Sequence, residues 1–269
     1  MADKKLDLSI IIVNYNTSKL TLGCIESVKK SIKNLDYEII VVNNSDKPEQ
    51  SKILHQNQPN DIKIIDSKNR GFGTANNSGA KAAKGEYLLL LNSDIKVSDN
   101  SIFLMLKFLT KHQEIAALSP LLYQEDGKTL QKHFFGSFPT FLSLTFRRWQ
   151  GRNADLQKDF FNSQMVSAAA MMIEKKKYDK VCGFDQNFFM YCEDDDLCRR
   201  LTQADHKNAV LTKAKMIHLE GRSASNKKRL KMYYKSQSYY WQKHNGTSAR
   251  VLMEIIRWPY KTLNILLSK

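Results

Sequence analysis

The chain is poor in the residues that make special scaffolds. Its 269 residues hold 4 cysteines, 5 prolines and 11 glycines. Cys24, Cys182, Cys192 and Cys198 form no C-x-x-C pair, which argues against a disulfide framework or a zinc ribbon and leaves reduced structural thiols. No apolar run is as long as a transmembrane helix. The opening MADKKLDLSIIIVNYN starts with charges, and its short apolar run stops at Asn14, Tyr15 and Asn16. A secretory signal needs a longer apolar region and a small-residue cleavage site, so the expected location is cytoplasmic. Acidic residues are scarce against basic ones, 27 Asp and Glu to 42 Lys and Arg, a net charge of +15. Such a surface attracts nucleic acid, anionic lipid or phosphorylated substrates, although solvated lysines account for part of it. The charge is uneven: Lys227, Lys228, Arg229, Lys231, Lys235 and Lys243 crowd a C-terminal stretch that is also aromatic. What is present, 42% hydrophobic residues spread along the chain, suffices for one sizeable core with a small appendage.

The first half alternates apolar runs with helical patterns. LSIIIVNYN, YEIIVVNN, IKIID and YLLLLNSD read as four strands. Leu20, Cys24, Ile25 and Val28 recur at helical spacing, and Gly71–Lys84 reads as a loop entering a small-residue helix. YLLLLNSD is apolar on both faces, as a central parallel strand must be. The alternation predicts a doubly wound α/β sheet, whose ligands bind beyond the carboxyl ends of the strands. Four polar clusters fall there: Asn14–Asn16, Asn43–Asp46, Asp66–Gly73 and Asn92–Asp94. Turn chemistry explains any one of them, but four together point to one crevice. Farther on, SPLLYQEDGKTLQKHF reads as two strands around an Asp126-Gly127 turn, and Gly136–Phe161 as a mobile or substrate-facing loop. VSAAAMMI reads as a buried strand, and AVLTKAKMIHLEG as a strand ending at His218. The pattern after Ser225 is helical, giving a division into 1–224 and a basic, aromatic extension 225–269.

Three positions carry chemistry. Asp94 ends the fourth strand, where it either caps the next turn or holds a divalent cation whose shell substrate phosphates complete. Glu193-Asp194-Asp195-Asp196 opens a helix at Asp194–Leu201. Acidic residues there complement the helix dipole. The preceding Phe188, Phe189, Met190 and Tyr191 add an apolar shell that raises a carboxyl pKa, as a general base needs. His218 precedes Glu220-Gly221-Arg222-Ser223 and is either structural or a metal ligand on the same crevice face.

SIIIVNYN, EIIVVNNSD, NRGFGTANNSGAKAAKGEYLLLLNSD, GFDQNFFMYCEDDDLCRRL and MIHLEG, in that order, resemble the family 2 glycosyltransferases of the GT-A fold, especially the bacterial rhamnosyltransferase-like branch, over Leu8 to Ser225. The resemblance implies a mostly parallel sheet flanked by helices, with a C-terminal helical extension. It implies that Asn14, Tyr15 and Asn16 line a nucleobase pocket and that Asn43 stands where the family commonly has a base-reading aspartate. Asn69 and Gly71 would approach ribose and diphosphate, with Asn76 supporting their loop. Asn92-Ser93-Asp94 takes the place of the Asp-x-Asp motif, with Asp94 as ligand to Mg²⁺ or Mn²⁺ and His218 completing the shell. Asp194 matches the general base of the Glu-Asp motif, with Glu193 on the acceptor side. Ser167-Ala168-Ala169 stands where the family often has Ser-Gly-Ala.

The implied reaction is one inverting displacement. A UDP- or dTDP-linked sugar, L-rhamnose first among the candidates, would pass to a glycan or polyprenyl-diphosphate-linked acceptor in cell-surface polysaccharide synthesis. A nucleotidyltransferase would need an N-terminal Gly-rich loop with Arg and Lys, where this chain has Asn-Tyr-Asn. A nucleic-acid-binding protein would show a helix-turn-helix, zinc or RNP signature, and none is found. A catalytically inactive sugar-binding module would not need Asp94, Asp194 and His218 together. The tail carries Trp258 and Tyr260 among Leu252, Ile255, Ile256, Leu263, Ile265 and Leu266. It suits a helix lying on an anionic membrane surface, packing on the domain, or a homodimer interface. Pro259 is expected to break it into two short helices.

Overall fold

The computed structural model describes residues 6–146, 154–219 and 226–268. In its first half strands and helices alternate: β1 (Leu6–Asn14), α1 (Ser18–Ser31), β2 (Tyr37–Asn43), α2 (Pro48–Asn57), β3 (Ile62–Asp66), α3 (Phe72–Ala82) and β4 (Gly85–Asn92). From Leu8 onward the isoleucines, valines and leucines of β1, β2 and β4 are buried on both strand faces, which is why these runs read as continuous rather than alternating. β3, β2, β1 and β4 lie side by side and parallel. The register pairs Asn14 with Asn43, Asn43 with Asp66, and Val13 with Asn92. Four polar strand ends therefore stand in one row.

The second half contains β5 (Ile95–Val97), α4 (Ser101–Lys111), β6 (Ile115–Tyr123), β7 (Phe135–Gly136), α5 (Phe141–Phe146), β8 (Phe160–Ser163), β9 (Met165–Val166), β10 (Ala170–Glu174), α6 (Lys175–Lys180), α7 (Glu193–Gln203), β11 (Lys207–His218), α8 (Asn226–Asn245) and α9 (Thr247–Leu267). The large sheet runs β3-β2-β1-β4-β10-β6-β11-β5, with β8 on β11. It is parallel from β3 to β4 and between β6 and β11, but β10 runs antiparallel to both β4 and β6. The sheet is thus mixed beyond its first half. The antiparallel β10 has a consequence for the site, because it starts where β4 ends: Ala170 pairs with Leu91.

Several local expectations need adjustment. VSAAAMMI divides into β9 and β10 around a Ser167–Ala169 turn. The two strands expected around Gly127 reduce to β6 and a single bridge between Tyr123 and Leu130. Gly127 does take the left-handed backbone (φ 63°) that the turn requires. The stretch expected as a loop holds α5, while its residues 147–153 lie outside the described residues, as do Glu220 to Ser225. α7 begins at Glu193, one residue early. Pro259 does not divide the tail: α9 runs unbroken through it. Proline removes one backbone donor and crowds the carbonyl four residues back. Here that residue is the exposed Ile255, on the side where the helix can open toward solvent.

Most buried apolar residues form one core around the sheet. A smaller cluster, Leu144, Phe188, Cys192, Tyr240 and Met253, joins α5, the loop before α7, α8 and α9. Among the described residues no helix is long and apolar enough to cross a membrane.

Candidate active site

The row of strand ends is cross-linked by amides. Asn14 Nδ2 donates to Asn43 Oδ1 and to Ser45 Oγ, both at 2.9 Å, and Thr21 Oγ1 donates to Asn14 Oδ1 at 2.8 Å. Asn43 Nδ2 in turn donates to Asp66 Oδ1 at 2.7 Å. Asn14 is 0% exposed, so it braces the floor of the crevice from beneath. Tyr15 and Asn16 form its rim: Tyr15 Oη donates to Asp46 at 2.9 Å and Asn16 Nδ2 at 2.6 Å. The bond to Asp46 raises the Tyr15 phenol's pKa. Asn43, Ser45, Asp46, Asp66, Lys68 and Asn69 line a cleft of about 750 Å³, a volume within the range of small-molecule sites.

Beside that cleft, α3 presents its amino end. Gly71 N–H bonds to Asn69 Oδ1 at 3.1 Å, and Phe72 N–H bonds to the Phe189 carbonyl at 3.0 Å. Gly71 has φ 110°, and a Cβ there would lie 2.4 Å from Phe189 O. Only glycine allows this approach of the two loops. Asn76 is buried within α3, donating to Phe72 O at 3.0 Å. It supports the turn without reaching the cleft.

At the end of β4, Asp94 Oδ1 lies 3.3 Å from His218 Nε2. Asn92 Nδ2 is also 3.3 Å from that nitrogen. His218 Nδ1 is 3.0 Å from Gln131 Oε1, while Gln131 Nε2 donates to the His218 carbonyl at 2.8 Å. Gln131 offers an acceptor to Nδ1, and Nε2 is the ring nitrogen turned toward Asp94. A carboxylate oxygen and a neutral imidazole nitrogen suit a divalent transition ion. Among the described residues no group of three such ligands is gathered, so an ion here fits only if phosphate oxygens of a bound ligand complete its shell.

The third part is the amino end of α7. Asp194 accepts hydrogen bonds from Asp195 N–H at 3.0 Å and from Ala168 N–H and Ser167 Oγ. Burial nevertheless raises its pKa. Burial and the adjacent Asp194 carboxylate push Glu193 well above the usual range, and its Oε2 is buried without a hydrogen-bond partner. Tyr191 and Cys192 both adopt positive φ, 72° and 64°. Two such residues in sequence cost about 1–3 kcal/mol each and persist only where packing enforces them. They turn the chain so that the acidic run starts the helix facing Ser167–Ala169. That tripeptide joins the site's two sides: Ala169 O accepts from Asn92 N–H at 2.9 Å, and its other end bonds Asp194.

Residues 9–182 match the family described as Glycosyl transferase family 2. The chain belongs to glycosyl transferase family 2. This glycosyltransferase is 28% identical to rhamnosyltransferase WbbL of Escherichia coli over 212 residues, 72% of its own length and 76% of the relative's. It is 26% identical to the low-salt glycan biosynthesis hexosyltransferase Agl10 of Haloferax volcanii, covering 97% of this chain and 82% of that one. Other relatives are far longer: the chain spans 17% of the O-antigen biosynthesis protein RfbC of Myxococcus xanthus, at 24% identity over 80% of this chain. Among solved structures, GalNAc-T7 with UDP, GalNAc and Mn²⁺ aligns at TM-score 0.65 and 19% identity, over 89% of this chain and 50% of that one. That likeness supports the GT-A fold.

Some residues of the candidate site were not singled out in the sequence. Gln131 sits in a polar stretch with nothing to distinguish it until folding sets it on His218. Asn77 clamps the loop before α7, accepting from Tyr178 Oη at 2.6 Å and Phe184 N–H at 2.9 Å. α8 holds the same loop from its other side. Ser236 Oγ donates to Met190 O at 2.6 Å, Tyr239 Oη to Asp185 at 2.9 Å, and His244 Nε2 lies 2.9 Å from Asp196.

Proposed function

We propose that this glycosyltransferase transfers one sugar, with inversion, from a UDP- or dTDP-linked donor to a hydroxyl of a glycan or polyprenyl-diphosphate-linked glycan, in cell-surface polysaccharide synthesis at the inner membrane face. The observation that carries the reading is the Ser167–Ala169 bridge between the end of β4 and Asp194. It ties the end of β4, next to Asp94, to a carboxylate of raised pKa, and the polar cleft at the ends of β2 and β3 belongs to the same row of strand ends.

In this reading Asn43, Asp66 and Asn69 receive the nucleoside, with Tyr15 and Asn16 at its edge. The amino end of α3 faces the diphosphate, where free N–H groups favour negative charge. Asp94 and His218 would hold Mg²⁺ or Mn²⁺, which when bound would neutralise charge on the leaving diphosphate. Gln131 keeps His218 in the tautomer that offers Nε2. Asp194 accepts the proton of the acceptor hydroxyl as its oxygen bonds to the anomeric carbon. The bond to the diphosphate breaks on the opposite face, and the configuration inverts. Glu193, its carboxyl pushed well above the usual range by burial and by the neighbouring Asp194, borders the acceptor side. The relative from Escherichia coli is named a rhamnosyltransferase, which places dTDP-L-rhamnose first in a donor panel. The test is release of nucleoside diphosphate from such a panel, with and without Mn²⁺, in the presence of a lipid-linked acceptor. Failure of every pyrimidine-linked donor would overturn the reading.

A further inference from the structure

The last helix is amphipathic the wrong way round. A helix of a soluble protein buries its apolar stripe and turns its charges to water. In α9 the inward positions are Met253, Arg257 and Lys261, at i, i+4 and i+8, with Glu254 beside them. Arg257 is 0% exposed. Its guanidinium lies over the Tyr234 ring at 5.2 Å, reaches Tyr234 O at 3.1 Å and Gln237 Oε1 at 3.2 Å, and pairs with Glu254. Lys261 pairs with Glu254 at 3.1 Å. A polar clasp thus fixes α9 to α8, and Met253 is the apolar side chain it buries fully. The opposite face is Leu252, Ile255, Ile256, Leu263 and Leu266, with Trp258 at its edge. It is open to solvent: Ile255 is 67% exposed, Trp258 66% and Leu266 70%. Phe146 of α5, also exposed, packs edge-on against Tyr260 at 6.3 Å and widens the apolar surface.

Charge decides what covers this face. On α8, the exposed Lys227, Lys231 and Lys235 follow at i, i+4 and i+8. The same stripe continues to Ser238, which bonds Glu254 of α9. The lysine stripe therefore runs beside the seam where α9 packs on α8. A second copy would bring the same lysines, and a net charge of +15, against their like. An anionic lipid surface takes both features at once, with apolar side chains in the acyl boundary and lysines at the phosphates. We infer that α9, with the lysine edge of α8, docks the protein flat on an anionic bilayer. The inference rests on the sugar-transfer reading only for its purpose, bringing the site to a lipid-linked acceptor.

The test uses the full chain with phosphatidylglycerol vesicles and with phosphatidylcholine vesicles, pelleted at low and high salt. The protein is expected to pellet with the first, less so at high salt. Ile255→Glu with Leu266→Glu should lower partitioning roughly tenfold or more, and Lys231→Glu or Lys235→Glu roughly fivefold each. Titration of dTDP and UDP into every variant should give the wild-type affinity, since none of these residues is near the cleft. If nucleotide binding fails while vesicle binding holds, the transfer reading falls and the docking surface stands. Docking is overturned if the wild type ignores anionic vesicles at low salt, or if the apolar double variant pellets as well as wild type. It is also overturned if sedimentation velocity shows a dimer that Ile255→Glu with Leu266→Glu dissociates, for the face would then belong to a second copy.

Discussion

The carboxyl group of Asp194 is asked to be a base at neutral pH while half-buried, and its surroundings set the terms. Burial raises its pKa, and the hydrogen bonds from Ala168 and Ser167 keep the rise in check. Glu193 and Asp195, both raised by burial and by their neighbours, share the titration. A base works once it has lost its proton, so kcat should climb as pH rises through a value above the ordinary aspartate range. Asp194→Asn keeps the shape but cannot take the proton. Transfer should fall by roughly 10²–10⁴-fold, with the donor's dissociation constant unchanged in a titration. A variant of near-normal turnover would remove Asp194 from the role. At the other end of the site, Asp94→Ala should erase the difference in donor affinity between Mn²⁺ and chelator. Gln131→Leu, which frees His218 to turn, should weaken metal binding by roughly 10–100-fold. Equal donor affinity with and without metal in the wild type would end the metal assignment. The positions of Asp94, Asp194 and His218 at a strand end or a helix start were legible in the sequence because each follows an apolar run or opens a helix. Gln131 was not, since its importance comes from a contact across 87 positions.

Elements carry the same logic at larger spacing. β1 to β4 were legible because continuous apolar runs ended in Asn or Asp mark buried parallel strands, and the register then forces the polar ends together. The antiparallel β10 was not legible, because VSAAAMMI says nothing of strand direction. The attachment of α8 was hidden too: its lysines and tyrosines fit a wet surface as well as a packed one. The structure shows that α8 secures the helix carrying Asp194. Asp196, 0% exposed, receives Arg200 at 2.8 Å, Lys243 at 2.8 Å and His244 at 2.9 Å. Burial alone would raise its pKa, but His244, Arg200 and Lys243 outweigh burial and lower it. A carboxyl group with a lowered folded-state pKa stabilises fully above its unfolded value, about 3.9. That stabilisation is lost as pH falls through the lowered value. Asp196→Asn should therefore cost about 3–5 kcal/mol at neutral pH. The gap in melting temperature between variant and wild type should narrow as the medium becomes acid. A gap independent of pH would mean that Asp196 acts through packing alone.

In the proposed reading the whole molecule divides its work between a nucleotide half, β1 to β4 with α3, and an acceptor half held in place by α8. Among the described residues, the amide chain from Asn14 through Asn43 to Asp66 is built from hydrogen bonds within the segment from β1 to β3. Stepwise removal of the tail should separate the two halves. A chain ending at Gly246 loses α9 and with it the buried Met253, worth about 1.5–3 kcal/mol. Its melting temperature should drop by roughly 5–10 °C, but UDP and dTDP should bind as before and transfer to a soluble acceptor should persist. A chain ending at Leu219 also loses the bonds from Ser236, Tyr239, Lys243 and His244 to the segment between Asp185 and Asp196. That segment should become open to protease, and transfer should disappear, because the strained Tyr191 and Cys192 lose the packing that enforces their backbone. Nucleotide binding should weaken far less than transfer does, since the cleft itself keeps every strand that builds it. If the shorter chain transferred sugar at the rate of the longer one, α8 would be an appendage and the positioning of Asp194 would have to lie wholly within residues 6–219.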